Sequence, residues 1–296
     1  MALSGVVILN KQEGMTSQTA VRRLARIFGV EKAGHTGTLD PMATGVLPVL
    51  IGRAVKASEY LTEGNKHYLA TLRLGLTTDT EDTTGTILTE TDELPDEPAV
   101  QTAIASFVGA GTQIPPMYSA LKVGGQKLVD LARRGVTVER TPRPIEIFSL
   151  SAEKRNARDY ALDVVCTKGT YIRTLCADIG KKLGCGGVMA SLARLEAAGF
   201  PLAGAATLDE YAAMSQEERE RRVIPVETLF SSYRELVVGA FFSRLLRAGQ
   251  AVLQKKLGCA YPAGTRVRLA DESGFFALGE ISEDGERVKT VKLFAL

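Results

Sequence analysis

A histidine and an aspartate stand five positions apart in the segment His35-Thr36-Gly37-Thr38-Leu39-Asp40-Pro41-Met42-Ala43-Thr44-Gly45. An imidazole and a carboxylate at this spacing can serve proton transfer or nucleophilic attack, provided that the chain between them turns sharply. Gly34, Gly37 and Gly45 allow such turns and the close approach of another backbone. Pro41 fixes its own φ and drives Asp40 out of the helical region, so the carboxylate is aimed from extended backbone. The apolar run Val46-Leu47-Pro48-Val49-Leu50-Ile51 follows at once, a scaffold for a polar loop. Asp40-Pro41 fits a simple turn initiator equally well, with His35 an ordinary loop residue, and spacing alone leaves both readings open.

The elements around this loop are legible from periodicity. Val6-Val7-Ile8-Leu9 reads as a first strand, ended by the polar turn Asn10 to Gly14. Thr16 and Ser17 offer an N-cap to a helix with Val21, Leu24, Ala25, Ile27 and Phe28 on one face, Arg22, Arg23 and Arg26 on the other, and Gly29 as its stop. Tyr68, Ala70, Leu72 and Leu74 alternate as one face of a strand, and Tyr160, Leu162, Val164 and Cys166 do the same. The acidic stretch 79–97 predicts an exposed loop. After Lys168-Gly169, Thr170 is the expected cap of a helix with Ile172, Leu175, Cys176, Ile179 and Leu183 inward, closed by Gly184. That helix places Tyr171 and Arg173 in its first turn, where anionic partners are favoured. Glu217 to Arg222 reads as a charged helical surface. From Tyr233 the chain changes to short, Gly-punctuated strands, Arg266–Leu269 and Phe275–Leu278, which puts a boundary near residue 232 and a small β-rich domain after it.

Composition excludes several classes. With 296 residues, 45% hydrophobic and 24% charged, the chain is expected to be soluble, one large domain with a smaller one attached. No apolar run is long enough to span a bilayer, and the first residues lack the basic region of a signal peptide. Cys166, Cys176, Cys185 and Cys259 form no Cys-x-x-Cys pair and there are only two histidines, so no zinc site is expected and the thiols fit a reducing cytoplasm. A Walker loop and a dinucleotide fingerprint are both missing from the sequence. The net charge of +2 does not by itself call for a polyanionic partner, although the charge is unevenly distributed along the chain.

Four separated motifs carry a family resemblance. Gly34-His35-Thr36-Gly37-Thr38-Leu39-Asp40-Pro41-Met42-Ala43-Thr44-Gly45-Val46-Leu47-Pro48-Val49 resembles the catalytic motif of the bacterial TruB-type tRNA pseudouridine synthases. Lys66-His67-Tyr68, Ile114 to Lys122 and Lys168-Gly169-Thr170-Tyr171-Ile172-Arg173-Thr174 resemble further motifs of that family in the same order, so the likeness spans roughly residues 5 to 230. One departure is visible: the family usually has Lys-Pro near the N-terminus, whereas Gln12 follows Lys11 here.

The resemblance implies a reaction that breaks the glycosidic bond of a uridine, turns the base and reattaches it through carbon, with no cofactor. By this likeness Asp40 is the carboxylate beside the sugar, attacking C1′ or removing a proton at C2′, and Arg173 is the cation that keeps it ionised. Tyr68 matches the aromatic platform for a flipped base, Tyr171 and Leu192 the pocket walls, His35 the residue that fills the space left in the RNA loop, and Lys11 a further substrate-side residue. The implied fold is α+β, a mixed and mainly antiparallel pseudouridine-synthase sheet with flanking helices (residues 1–232) plus a small PUA-like RNA-binding domain (233–296). The implied partner is tRNA: its T-arm stem-loop at position 55, and its acceptor stem through phosphate contacts from Arg244, Arg247, Lys255, Lys256, Arg266 and Arg268. A cytoplasmic monomer is expected. A non-catalytic RNA-binding or tRNA-folding protein is the alternative. A carboxylate-dependent glycoside hydrolase fits less well, because no second acid has a matching context.

Overall fold

The computed structural model describes residues 3–62 and 64–295. Its main sheet is built on strand Thr44–Ile51, whose continuous apolar run reflects burial on both faces. The antiparallel partner Gly5–Lys11 pairs with it in full register, Gly5 opposite Ile51 and Lys11 opposite Gly45. Alternation divides these two strands between two cores. Val7, Leu9, Leu47, Val49 and Ile51 face the larger cluster, while Val6, Ile8, Val46 and Leu50 face a second one. The strand order continues from Thr44–Ile51 through Gly187–Ala197, Lys66–Leu74, Asp159–Cys166 and Arg143–Lys154 to Gly109–Gln113. Every step is antiparallel except the short parallel contact between Thr44–Ile51 and Gly187–Ala197, so the sheet is mixed and mainly antiparallel, as expected.

Helix Ser17–Ile27 begins as read from sequence: Thr16 accepts a hydrogen bond from the Thr19 N–H at 3.1 Å. It buries Ser17, Ala20, Val21 and Leu24 and leaves Arg22, Arg23 and Arg26 exposed. Tyr68, Ala70, Leu72 and Leu74 all point inward from strand Lys66–Leu74. Helix Gln216–Arg221 buries none of its residues and is opened by a Ser215–Glu218 capping box.

Two expectations fail. The stretch 79–97 is not simply an exposed loop, because Ile87–Glu90 pairs with Leu76–Thr78 in a hairpin and Asp82 is buried. Thr80 and Thr84 hold the Asp82 carboxylate, which makes the inward turn affordable for an ion. Thr170 does not cap helix Ile172–Leu183: the N-cap is Tyr171, whose backbone is held from the neighbouring strand by Gln113.

A second, five-stranded sheet runs in the order Arg234–Val237, Arg266–Asp271, Gly274–Ile281, Arg287–Leu293, Val252–Leu253, with helix Ala240–Arg247 against it. It has its own apolar cluster around Leu246, Leu269, Phe276 and Val288. It is also joined to the rest of the chain, since Leu278 and Phe294 share the second core with Val6, Leu50 and Phe230. Among the described residues no helix is long and apolar enough to cross a membrane.

Candidate active site

One edge of strand Thr44–Ile51 is shared by two partners. At its start Thr44 and Gly45 lie beside Ala193 and Arg194; at its end Val49 to Ile51 pair with the short strand Ala33–His35. The loop 36–43 spans the gap where these partners diverge. Gly45 sits at φ +102°, and a Cβ there would lie 2.2 Å from the Arg194 carbonyl oxygen, so only glycine fits.

The loop is pinned from beneath. Ser17 Oγ donates to the Leu39 carbonyl at 3.0 Å and accepts from the Leu39 N–H at 2.9 Å. Gly14 N–H donates to the Pro41 carbonyl at 2.9 Å. Lys11, only 1% exposed, donates from Nζ to the carbonyls of Ala43 (2.6 Å), Gln12 (3.0 Å) and Pro41 (3.2 Å). Burial brings the Lys11 ammonium down to about 8, with the charges of Asp40 and Glu13 opposing that shift. Ala43 N–H donates to the Asp40 carbonyl at 3.0 Å, so Asp40-Pro41 does initiate a turn. The turn and the site are the same structure.

That turn delivers Asp40 to Arg173, the second residue of helix Ile172–Leu183. The guanidinium meets the carboxylate through two nitrogens, Nε to Oδ2 at 2.9 Å and Nη2 to Oδ1 at 3.1 Å. Its remaining donors go to the Thr80 carbonyl at 3.1 Å and the Tyr118 carbonyl at 2.7 Å. Arg173 is thus fully engaged and buried, while the Asp40 side chain remains 31% exposed on the open side. Asp82 lies 3.9 Å from Arg173 Nε. Its Oδ1 accepts from Thr80 Oγ1 (2.8 Å), Thr84 N–H (2.9 Å) and Thr84 Oγ1 (2.6 Å). Burial pushes the Asp40 carboxyl above the usual range; Arg173 opposes the shift and the like charge of Asp82 adds to it. A carboxylate raised in this way is poorly stabilised when ionised, which suits a nucleophile or a base.

Of the other expected residues, Tyr68 and Tyr171 lie within electrostatic reach of this pair. Tyr68 is buried on its strand, and burial raises its phenol against the positive charge of Arg194 beside it. Tyr171 precedes the helix, its N–H donating to Gln113 Oε1 at 2.8 Å and its carbonyl accepting from Gln113 Nε2 at 3.0 Å. Leu192 packs in the same apolar cluster as Tyr68, Leu39 and Ala43. His35 ends the strand before the loop, and no hydrogen bond joins it to Asp40 among the described residues. Among the described residues its Nδ1 is buried without a partner, and burial together with Arg194 holds the ring below its ordinary pKa, hence neutral.

Family models match residues 25–172, as the N-terminal domain of TruB family pseudouridylate synthases, and residues 173–231, as the C-terminal domain of tRNA pseudouridylate synthase B. A tRNA pseudouridine synthase B of Clostridium tetani (strain Massachusetts / E88) is 40% identical over 293 residues, covering 98% of this chain and 99% of that protein. The chain belongs to the TruB family. Another relative of the same description, from Burkholderia pseudomallei (strain 668), is 43% identical over 272 residues, covering 91% of this chain and 90% of that protein. Among solved structures, a Cbf5–Nop10–Gar1 complex matches in fold with a TM-score of 0.69 at 24% identity, covering 99% of this chain and 85% of that one.

Three residues of this TruB-family site escaped the sequence reading. Asp82 hides in an acidic run; the threonines two positions to either side were its only signal. Gln113 closes a short strand and looks like an ordinary polar residue, yet it is buried and holds both polar atoms of the Tyr171 backbone. Arg194 is fully buried: alternation sets it on the face of Leu192, yet a lone base in a strand reads as a solvent-facing side chain.

Proposed function

We propose that this chain converts uridine 55 in the T-loop of tRNA to pseudouridine, with Asp40 as the group that acts at the sugar. The observation that carries this reading is the Asp40–Arg173 pair: a carboxylate raised by burial, bound on one side by a two-nitrogen guanidinium and open on the other. In the reaction the N1–C1′ bond breaks, the base turns, C5 bonds to C1′, and the proton leaving C5 is replaced by one gained at N1. Attack of Asp40 on C1′ and removal of the C2′ proton both begin from the ionised carboxylate, which Arg173 favours.

Reaching the base requires that the nucleotide be flipped out of the folded loop. Tyr68 supplies the ring on which it stacks, Tyr171 and Leu192 close the pocket, and neutral His35 enters the space left in the RNA loop. Lys11 acts from below, holding the backbone of the catalytic turn. The protein works as a cytoplasmic monomer and needs no cofactor. Residues 1–232 form the catalytic domain, and residues 233–296 a PUA-like domain that holds the acceptor stem by phosphate contacts. Arg247, Arg266 and Arg268 are engaged with Asp271, Glu280 and Glu235, so Arg244, Lys255 and Lys256, all exposed, are the side chains assigned to phosphate.

Unmodified tRNA transcript treated with the protein should acquire pseudouridine at position 55 alone, read by mass-shift labelling and mapping. Tight binding without modification would instead favour an RNA-folding role. Replacing Arg244, Lys255 and Lys256 with Gln should flatten the slope of log affinity against log salt by about one unit per lost contact, leaving the site of modification unchanged.

A further inference from the structure

Arg194 is the largest of the fully buried side chains, 1% exposed, in the centre of the main sheet. A cation taken from water ordinarily requires a carboxylate partner. Among the described residues none is in ion-pair contact with Arg194. Backbone oxygens receive its donors instead: Nε donates to the Val46 carbonyl at 2.8 Å and Nη2 to the Gly37 carbonyl at 3.1 Å. These carbonyls lie on either side of the gap where strands Thr44–Ile51 and Gly187–Ala197 part, one in the strand and one in the catalytic loop. The guanidinium therefore replaces the strand-to-strand bonds that the sheet lacks there. Gly37, at φ +93°, brings the loop against it: a Cβ on Gly37 would lie 3.5 Å from Arg194 Nη1. The same guanidinium lies against Tyr68, one strand over.

We propose that Arg194 is a positioning residue for the isomerisation, one that fixes the loop carrying Asp40 and the ring of Tyr68 in a single arrangement. The loop that carries Asp40 and the strand that carries Tyr68 are separate elements, and the buried guanidinium meets both. A planar fork suits this role because its donors diverge in fixed directions, whereas an ammonium is a single point. A residue that merely completed the core would need no charge, and a hydrophobic replacement of similar volume would serve as well or better.

This inference rests on the isomerase reading, so wild-type turnover is measured first; its absence would count against that reading and not against Arg194 in particular. The test then compares Arg194→Met and Arg194→Lys in single-turnover assays at saturating tRNA, with tRNA affinity and thermal melts measured alongside. Arg194→Met should lose at least 100-fold in rate per folded molecule while affinity changes less than threefold. Arg194→Lys should lose about tenfold, since one nitrogen must replace two diverging donors. In a Tyr68→Phe background, which removes only the hydroxyl, the Arg194→Lys loss should shrink, leaving the part that comes through the Gly37 and Val46 carbonyls. If Arg194→Met does not fold, the Arg194→Lys rate decides. A rate within twofold of wild type in the folded Met variant, or in the Lys variant where only that folds, would overturn the proposal. So would a full, independent Arg194→Lys loss in the Tyr68→Phe background.

Discussion

Two aspartate–arginine pairs end in opposite electrostatic states. In the C-terminal sheet Asp271 Oδ2 accepts from Arg247 Nη2 at 2.7 Å and from the Ser243 hydroxyl, while Oδ1 accepts from Ser273 N–H at 2.9 Å and Ser273 Oγ at 2.6 Å. Burial pulls Asp271 upward, but these bonds outweigh it and leave the carboxyl well below the usual range. In the catalytic loop the balance reverses. Asp40 receives the two nitrogens of Arg173 and, among the described residues, no backbone N–H or hydroxyl; burial and the nearby Asp82 charge win. A carboxylate whose lone pairs are all occupied stabilises a fold. One whose lone pairs are left over can react.

The linkage signs follow from these directions. Asp271, depressed in the folded state, contributes stability that is present above the ordinary carboxylate pKa and lost as pH falls through its folded value. Asp40, raised in the folded state, contributes stability below the ordinary value that is lost as pH climbs through its folded pKa. When ionised, Asp40 is a charge the fold would be better without, in keeping with the chemical role proposed for it.

The largest effect that sharpens this contrast is Asp40→Asn. The amide keeps the shape but can neither attack nor take a proton, so single-turnover rate should fall by about 10⁴-fold or more while tRNA affinity stays within about threefold. Measurable turnover by this variant would break the comparison at its reactive end. Next comes Tyr68→Leu, which fills space but offers no ring. Losing stacking worth roughly 1–3 kcal/mol should slow the reaction about 5- to 150-fold per folded molecule, with tRNA binding much less affected. If Tyr68 only packs the core, thermal melts fall and the rate per folded molecule does not. Asp271→Ala should have the smallest effect on catalysis. Breaking its pair should cost about 3 kcal/mol of stability by urea titration, with the rate per folded molecule unchanged. A rate loss there would mean that the C-terminal sheet takes part in the chemical step.

Local chemistry made much of this legible in advance. Gly37, Pro41 and Gly45 gave away the turn that carries Asp40, because each imposes a backbone constraint that its own identity announces. Tyr68 was placed by strand alternation alone, although alternation says only that it is buried, not that it faces a pocket. What the reading missed depends on partners far along the chain. Asp82 looked solvent-exposed because its run is acidic; Thr80 and Thr84 hold its carboxylate, and the charge it turns toward, Arg173, is ninety-one positions away. Arg194 bonds to Val46 and Gly37, about 150 positions earlier, at a split in the sheet that no local pattern encodes. The helix cap was misassigned to Thr170 for the same reason: Gln113, on a distant strand, holds both polar atoms of the Tyr171 backbone, and the helix starts there without a side-chain cap.

The central claim, that Asp40 works as a carboxylate held above its ordinary range against the pull of Arg173, is tested most directly by the pH dependence of the single-turnover rate. At saturating tRNA, wild type should lose activity as pH falls, with a midpoint above the ordinary Asp value of about 4. In Arg173→Met, which removes the charge that favours ionisation, that midpoint should move to higher pH and the rate at neutral pH should drop with it. A wild-type rate that stays flat down to pH 4, or an acid limb that Arg173→Met leaves in place, would contradict the account.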